Sequence, residues 1–150
     1  LKKKNYFVEP KNFIDLRIDL FCMRGVIEHL LDPFETLRKL INEIQPSIIL
    51  ISATPNGSSI ACSIYKENWR MHIPTEHIWH FSPHHIIQIL SRLGYVTTNL
   101  DFQYLEGPYS NLIEDSKAIY AYCCNPENKL CSPPYFDSMM SVFAIKENLI

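Results

Sequence analysis

The side chains best suited to chemistry fall into two segments of this chain. The first, Arg24-Gly-Val-Ile-Glu-His-Leu-Leu-Asp-Pro33, sets a carboxylate beside an imidazole at Glu28 and His29. The second runs from residue 54 to residue 82 and contains His77. A histidine exchanges protons near neutral pH, and a general base contributes roughly 10²- to 10⁴-fold to a rate. We therefore predict His77 as a catalytic base and His29 as a second candidate, although a histidine beside a helix start more often hydrogen-bonds the backbone.

The second segment also carries large aromatic and basic side chains, which are candidates for contacting a substrate: Trp69, Arg70 and Trp79. Aromatic walls are common in small-molecule pockets. Large aromatics in a long loop also serve as packing anchors, and the sequence leaves both roles open.

Composition excludes several classes of function. The formal net charge is −2, which gives no electrostatic bias toward nucleic acid. The four glycines are too far apart for a G-x-G-x-x-G or phosphate-binding loop within these residues. No apolar run is long enough to predict a membrane span, and the chain shows no signal-peptide pattern. The five cysteines include no C-x-x-C pair, so we expect neither disulfides nor a zinc site, and a reducing cytoplasm suits them best.

The elements that must position these segments alternate between strand and helix. Residues 17–23 form a mostly apolar strand pattern, and Asp32-Pro33 starts an amphipathic helix with Glu35 at the capping-box position. Pro46 ends that helix, and residues 47–51 form a short apolar strand, which completes a βαβ unit with parallel strands. In an open α/β sheet of this kind the ligand site lies at the carboxyl ends of the strands.

Further elements follow from local signals. A turn at residues 54–57 precedes a short helix through Tyr65, with Asn56 or Ser58 as its cap. Ser82 and Pro83 start another helix, which Gly94 ends. The remaining patterns predict a strand over residues 95–104, a helix over 112–123 and a last strand over 139–145.

Five landmarks in this order carry a resemblance to a known family. They are V-I-E-H-L-x-D-P after a strand, T-P-N after the next strand, Trp69, Glu76-His77-Ile78-Trp79-His80-Phe81-Ser82, and Leu93-Gly94-Tyr95. The pattern resembles the class I S-adenosylmethionine-dependent methyltransferases of the small-molecule type. The resemblance implies an α/β fold with a partial Rossmann-like sheet in the strand order 4-5-7-6, formed by one domain over residues 1–150. The segment corresponds to the C-terminal half of such a domain, so the chain is expected to be a fragment of the family's fold.

The resemblance also implies where the cofactor binds. The family contacts S-adenosylmethionine through a glycine-rich loop, which is missing here, and through backbone after its fourth strand, which would be Cys22, Met23, Arg24 and Gly25. Residues 5–8 resemble a remnant of the preceding strand. Some relatives hold magnesium with E-x-x-E-H, but Gly25 stands in place of the first glutamate. Glu28 and His29 alone are too few ligands for that cation, so no metal is expected.

The sequence thus predicts a methyltransferase that transfers the methyl group to a small-molecule acceptor in the cytoplasm, without nucleic acid or membrane as partner. The alternative is a non-catalytic, methyltransferase-like partner or scaffold module. An unrelated hydrolase ranks last, because no G-x-S-x-G motif is present. The chain alone is expected to be inactive and to form a homodimer through an exposed strand edge.

Overall fold

A computed structural model describes residues 18–102, 110–127, 132 and 137–150. The centre of these described residues is a four-stranded mixed sheet in the order β1-β2-β4-β3. The strands are β1 (Leu20–Arg24), β2 (Ile48–Pro55), β3 (Tyr95–Asp101) and β4 (Met139–Lys146). In chain order these correspond to the family's strands 4, 5, 6 and 7, so the predicted order 4-5-7-6 is confirmed.

In the part of the chain that the structure describes, four α-helices accompany the sheet: α1 (Pro33–Ile44), α2 (Ile60–Tyr65), α3 (Pro83–Arg92) and α4 (Leu112–Cys124). Single turns of 3-10 helix occupy Ile27–His29, Lys66–Asn68 and Glu147–Leu149. Among the described helices, none combines the length and the apolar character needed to cross a membrane.

The βαβ unit is built as the sequence predicted. β1 and β2 are parallel, with Cys22 opposite Leu50, and α1 connects them. The carboxyl ends of both strands therefore open on the same edge of the sheet. β4 pairs antiparallel with both β2 and β3, which places β4 inside the sheet.

The start of α1 shows why the chain turns where it does. The Asp32 side chain accepts a hydrogen bond from the Glu35 N–H at 2.9 Å, and Pro33 occupies the first turn. The Glu35 carboxylate does not close the capping box, because it forms a 2.7 Å ion pair with Arg38. At α3 the box is complete: Ser82 accepts from the backbone of His85, whose ring accepts from the Ser82 N–H.

Several predicted boundaries were wrong by a few residues. β2 continues through Pro55 rather than ending before a turn at Thr54, and β1 begins at Leu20. The cap of α2 is Ser59, which accepts from the Cys62 N–H at 3.0 Å. The two predicted caps are wrong, because Asn56 Oδ1 instead accepts from the Ser58 N–H at 3.1 Å and from the Ser58 hydroxyl at 2.8 Å. The Asn56 side-chain N–H donates to the Asp137 carbonyl at 2.9 Å. The predicted end of β3 and the strand remnant at residues 5–8 lie outside the described residues.

The main core lies between the sheet and the helices α1 and α3. Buried side chains from these elements form one continuous apolar cluster, which includes Ile27, Leu37, Ile49, Ile86, Leu90 and Val142. A second, smaller cluster forms around α2 and α4, from Ala61, Tyr65, Trp69 and Tyr122. The long loop that carries His77 is anchored at both ends by buried residues. Trp69 before it belongs to the second cluster, and Phe81 after it belongs to the main core.

Candidate functional site

The loop after β1 is held against the end of β2. Gly25 has a φ of +59°, a conformation that glycine adopts without steric cost. Its N–H donates to the Ser52 carbonyl at 2.9 Å. Ile27 in the following turn is fully buried, so it fastens the loop into the core. The turn therefore presents Glu28 and His29 at the carboxyl edge of the parallel strands.

The two predicted chemical segments meet at Glu28. Its backbone carbonyl accepts hydrogen bonds from the N–H groups of Ile78 and Trp79, at 3.0 and 3.2 Å. This double contact joins residues that are about fifty positions apart in the chain. It brings His77 beside the loop that carries His29.

His29 and His77 lie ring against ring, with centroids 5.0 Å apart. His29 Nδ1 is 2.6 Å from the Glu76 carbonyl, and His77 Nδ1 is 2.7 Å from the Met71 carbonyl. A carbonyl oxygen only accepts, so each Nδ1 must carry the proton and donate. In the neutral ring Nε2 then holds a free lone pair, which is the form that accepts a proton or binds a metal.

The Glu28 carboxylate completes this group. Glu28 is 2% exposed, and its Oε1 lies 3.7 Å from His29 Nε2. Its Oε2 is buried and has no hydrogen-bond partner among the described residues. One ligand atom from each of Glu28, His29 and His77 lies within 4.8 Å of the others. We call these residues the Glu-His-His cluster.

A second pair of histidines, which the sequence analysis did not single out, borders this cluster. His72 and His80 have ring centroids 5.1 Å apart. Burial lowers the pKa of His80, and the neighbouring His72 and His77 lower it further. A hydrogen bond from the His80 ring to the Met71 backbone raises the pKa but does not outweigh these effects. Gly57 allows His80 to pack closely against the backbone, because a Cβ at position 57 would lie only 3.0 Å from the His80 Cβ. The only sequence signal was the density of histidines between residues 72 and 85.

The three predicted substrate-contacting residues occupy different environments. Trp69 is 2% exposed and packs in the second cluster, while Arg70 is exposed and donates its N–H to Ser132 Oγ at 3.0 Å. Trp79 is 44% exposed, and its Nε1–H donates to the Leu30 carbonyl at 2.9 Å. Of the three, Trp79 presents its ring to the surface in a fixed orientation.

Trp79 forms one wall of a groove of about 470 Å³ between the first turns of α1 and the exposed side of α3. Its apolar walls are Leu31, Phe34, Trp79, Phe81 and Ile89, and its polar groups come from Asp32, His80, His85, Gln88 and Arg92. The sequence analysis missed this groove, since most of its walls looked like ordinary helix faces. Its volume falls in the range of small-molecule sites.

The four residues predicted to contact a cofactor lie at the end of β1 and in the turn after it, and they differ in exposure. Met23 is buried in the main core, so its side chain is not available for a ligand. Cys22 and Arg24 are exposed, and Gly25 forms the turn. Any cofactor contact made by Met23 would therefore use its backbone.

Comparisons with known proteins give one family and a consistent fold. A family model described as a methyltransferase domain matches residues 2–100. No curated protein sequence matches the chain. The chain is similar to a solved SAM-dependent methyltransferase from Archaeoglobus fulgidus, with a TM-score of 0.52 and 24% identity over 91% of this chain and 62% of that one.

Two further solved structures share the fold. One is a chain in the complex between the Haloferax volcanii Trm112 methyltransferase activator and a methyltransferase, with a TM-score of 0.54 and 12% identity over 89% of this chain and 58% of that one. The other is the small RNA methyltransferase HEN1, with a TM-score of 0.52 and 17% identity over 93% of this chain and 15% of that one. The chain thus spans less than two thirds of the length of each of these three structures.

Proposed function

The chain belongs to the methyltransferase domain family, and from this premise we propose that the whole protein transfers the methyl group of S-adenosylmethionine to a small-molecule acceptor. The observation that carries the proposal is the Glu-His-His cluster at the carboxyl edge of β1 and β2. That edge is where open α/β sheets bind their ligands. The cluster supplies two imidazoles whose Nδ1 atoms donate to backbone carbonyls, which leaves a lone pair on each Nε2.

The residues at the end of β1 have the charge and size that suit contact with S-adenosylmethionine. When bound, S-adenosylmethionine supplies the electrophilic methyl group. The exposed guanidinium of Arg24 suits its carboxylate, since an arginine binds a carboxylate through two parallel hydrogen bonds. Gly25 brings backbone close without a side chain in the way, and Cys22 lies exposed beside it.

The histidines then act on the acceptor. His77 is the proposed general base, because its Nδ1 is engaged with the Met71 carbonyl and its Nε2 lone pair is left to take a proton from a hydroxyl or amine. His29 is held by the Glu76 carbonyl in the same tautomer and lies beside it. The chain's other contribution is alignment of acceptor and methyl group, which lowers the entropic part of the barrier.

A small-molecule acceptor suits the groove beside Trp79. Its mostly apolar walls and few polar groups match the usual composition of such sites. The chain's net charge of −2 also gives no general attraction for a polyanion. Because one structural neighbour is named as a small RNA methyltransferase, RNA is the acceptor class against which this proposal must be tested.

A second candidate function is a non-catalytic partner module. It is favoured by the absence of a glycine-rich loop from these 150 residues. One structural neighbour comes from a complex that includes a methyltransferase activator, so a role in assembly is chemically reasonable for a domain of this fold.

The deciding experiment uses the full-length protein with S-adenosylmethionine carrying a labelled methyl group. The protein and the labelled cofactor are incubated in parallel with a small-metabolite extract and with total RNA. The labelled products are identified by mass spectrometry. Label in metabolites, lost in His77→Ala and kept in His84→Ala, supports the proposal. Label only in RNA overturns the acceptor class, and no label in either favours the partner module.

A further inference from the structure

We propose that the groove between α1 and α3 binds a methyl acceptor of one chemical class: a flat aromatic ring system with a carboxylate at the end opposite its hydroxyl or amine. The inference rests on the proposed function in treating the bound molecule as the acceptor, whereas the shape and charge of that molecule follow from the groove alone. The two long walls of the groove differ in chemistry. One wall is aromatic, and the other is a row of hydrogen-bond donors.

The aromatic wall is built on Trp79. Its indole N–H donates to the Leu30 carbonyl at 2.9 Å, so the ring is held in place and has no further hydrogen to donate. Phe81 lies beside it, with ring centroids 6.3 Å apart and ring planes inclined by 28°. Phe34 adds a third ring from the first turn of α1. Aromatic ligands pack in offset arrangements on such faces, so this wall favours a flat ring system.

The rim of the aromatic wall exposes apolar surface that a bound molecule would cover. Leu31 is 84% exposed and Trp79 is 44% exposed, and both line the groove. Contiguous exposed apolar surface marks a binding site, and its removal from water favours binding in proportion to its area. The body of the ligand is therefore apolar, which disfavours a sugar or another chain of hydroxyl groups.

The donor wall is one face of α3. His85, Gln88 and Arg92 follow one another at steps of three and four residues, which places them on the same side of the helix. The amide of Gln88 and the guanidinium of Arg92 are donors. His85 Nδ1 accepts the Ser82 N–H at 3.1 Å, so the neutral ring carries its proton on Nε2 and donates there. Since α3 contains no acidic residue, this wall suits a ligand that accepts hydrogen bonds.

Arg92 determines the charge of the ligand. The residue is exposed, and no carboxylate among the described residues pairs with it. An arginine binds a carboxylate through two parallel hydrogen bonds. The groove also contains one acid, Asp32, whose Oδ1 already accepts the Glu35 N–H. One arginine and one aspartate give the lining no excess of positive charge, so it suits a singly charged carboxylate better than a phosphate, which carries about −1.5 to −2 at pH 7.

The other end of the groove leads toward the Glu-His-His cluster. Trp79 donates its backbone N–H to the Glu28 carbonyl, so the aromatic wall continues from the segment that holds His77. His80 lines this end of the groove. From His85 to Arg92 the helix makes about two turns, which is about 10 Å along its axis. A two-ring acid spans this length, with its carboxylate at Arg92 and its hydroxyl or amine at the end nearer the histidines.

The test is ligand binding by the full-length protein without S-adenosylmethionine, measured by titration calorimetry. The probe is 6-hydroxy-2-naphthoate, a two-ring acid whose hydroxyl lies opposite its carboxylate. Its neutral counterpart, 6-hydroxy-2-naphthamide, keeps the rings and the hydroxyl, and adenosine monophosphate joins an aromatic base to a phosphate. We expect the naphthoate to bind about tenfold more tightly than either, because hydrogen bonds between charged groups are the stronger ones.

Single substitutions assign the two walls. Arg92→Gln should weaken naphthoate binding by about tenfold and leave naphthamide binding unchanged. Arg38→Gln, at an exposed arginine on α1 that does not line the groove, is the matched control and should bind both compounds like the unaltered protein. Trp79→Leu should weaken both compounds, because both use the aromatic wall. Circular dichroism checks that each variant is folded.

Equal affinity for naphthoate and naphthamide would overturn the proposal, as would equal effects of Arg92→Gln and Arg38→Gln. Tighter binding of adenosine monophosphate would replace the carboxylate with a nucleotide, and a lack of binding by all three compounds would exclude an aromatic ligand. The measurement requires no methyl transfer. Naphthoate binding by a protein that transfers no label would contradict the proposed function and leave the ligand class intact, whereas labelled metabolites without a preference for the naphthoate would contradict only this inference.

Discussion

At the scale of single residues, a hydrogen bond to a backbone carbonyl determines what each histidine of the cluster can do. Met71 and Glu76 hold the Nδ1 protons of His77 and His29, so both Nε2 atoms remain available. The sequence located both histidines as candidates from their neighbourhoods. It could not give their tautomers, because the two carbonyls that fix them lie on a loop whose path depends on tertiary packing.

His77 is the residue whose loss should affect turnover most. In the full-length protein, His77→Ala should lower turnover by roughly 10²- to 10⁴-fold, the usual contribution of a general base. Acceptor affinity, measured by equilibrium binding, should change little because the groove walls are unaltered. His84→Ala is the matched control.

Two further measurements separate the possible roles of His77. Added imidazole should restore part of the turnover of His77→Ala if the side chain acts as a base. If the ring acts as a metal ligand instead, a chelator should abolish the activity of the unaltered protein. Near-normal turnover in His77→Ala would reduce the residue to a loop anchor.

His80 should make stability depend on pH. Burial, with help from His72 and His77, lowers its pKa below the ordinary value of 6.5. The unfolded chain then binds a proton at a higher pH than the folded chain does. The free energy of unfolding should therefore decrease as the pH falls below 6.5. Urea denaturation at several pH values should show a shallower decrease in His80→Asn than in His84→Asn, and equal slopes would contradict the assignment.

At the scale of elements, short-range signals predicted more than long-range ones. The starts of α1 and α3 followed from Asp32-Pro33 and Ser82-Pro83, since a cap and its N–H partner lie within three residues. The start of α2 did not follow. The Asn56 side-chain oxygen accepts from Ser58, and the Asn56 side-chain N–H donates to the Asp137 carbonyl at 2.9 Å. The Asp137 carboxylate accepts the Ile60 N–H at 2.8 Å. These hydrogen bonds to Asp137 join positions about eighty residues apart, so no local sequence pattern predicts them.

The cap of α1 can be measured directly. Asp32→Ala should lower the free energy of unfolding by about 1 kcal/mol, because it leaves the Glu35 N–H without its side-chain acceptor. Glu35→Gln is the control, since it keeps the cap and removes only exposed ion pairs with Arg38 and Lys39, which contribute little to stability. Urea denaturation compares the two, and an unchanged Asp32→Ala would refute the cap.

A long-range hydrogen bond ties the start of β3 to the turn before β2. The Tyr95 hydroxyl donates to the Pro46 carbonyl at 2.6 Å, and Tyr95 is 2% exposed. Tyr95→Phe should cost about 1 to 3 kcal/mol, because the buried carbonyl loses its partner. Tyr120→Phe, on a side chain that is 73% exposed, should cost almost nothing. Equal losses in thermal denaturation would contradict this assignment.

At the scale of the whole molecule, the strand order followed from the family resemblance, while the groove and the Glu-His-His cluster did not. Sheet order is a property that the family shares, so five landmarks were enough to infer it. The cluster depends on two hydrogen bonds from Ile78 and Trp79 to the Glu28 carbonyl, and the groove depends on how α1 and α3 approach each other. These distances arise from packing and are not encoded in a local pattern.

The last prediction concerns the 150-residue chain in isolation, which should bind S-adenosylmethionine poorly and should self-associate. Poor binding is expected because these residues contain no glycine-rich loop. Self-association is expected because, within the described residues, β1 pairs only with β2 and ends the sheet. Its outer backbone groups can pair with another strand, and Leu20 is 51% exposed beside them.

Calorimetry with the cofactor and light scattering check the two parts separately. Cys22→Lys places a charge on an exposed position of β1 and should reduce the dimer population, whereas Val96→Lys on β3, the strand at the opposite edge, should leave it unchanged. If the dimer persists in Cys22→Lys but is lost in Val96→Lys, the contact between the two copies lies at the β3 edge instead. Micromolar cofactor binding to a monomer would contradict both expectations, because it would require the residues of this chain to complete the cofactor site and cover the β1 edge themselves.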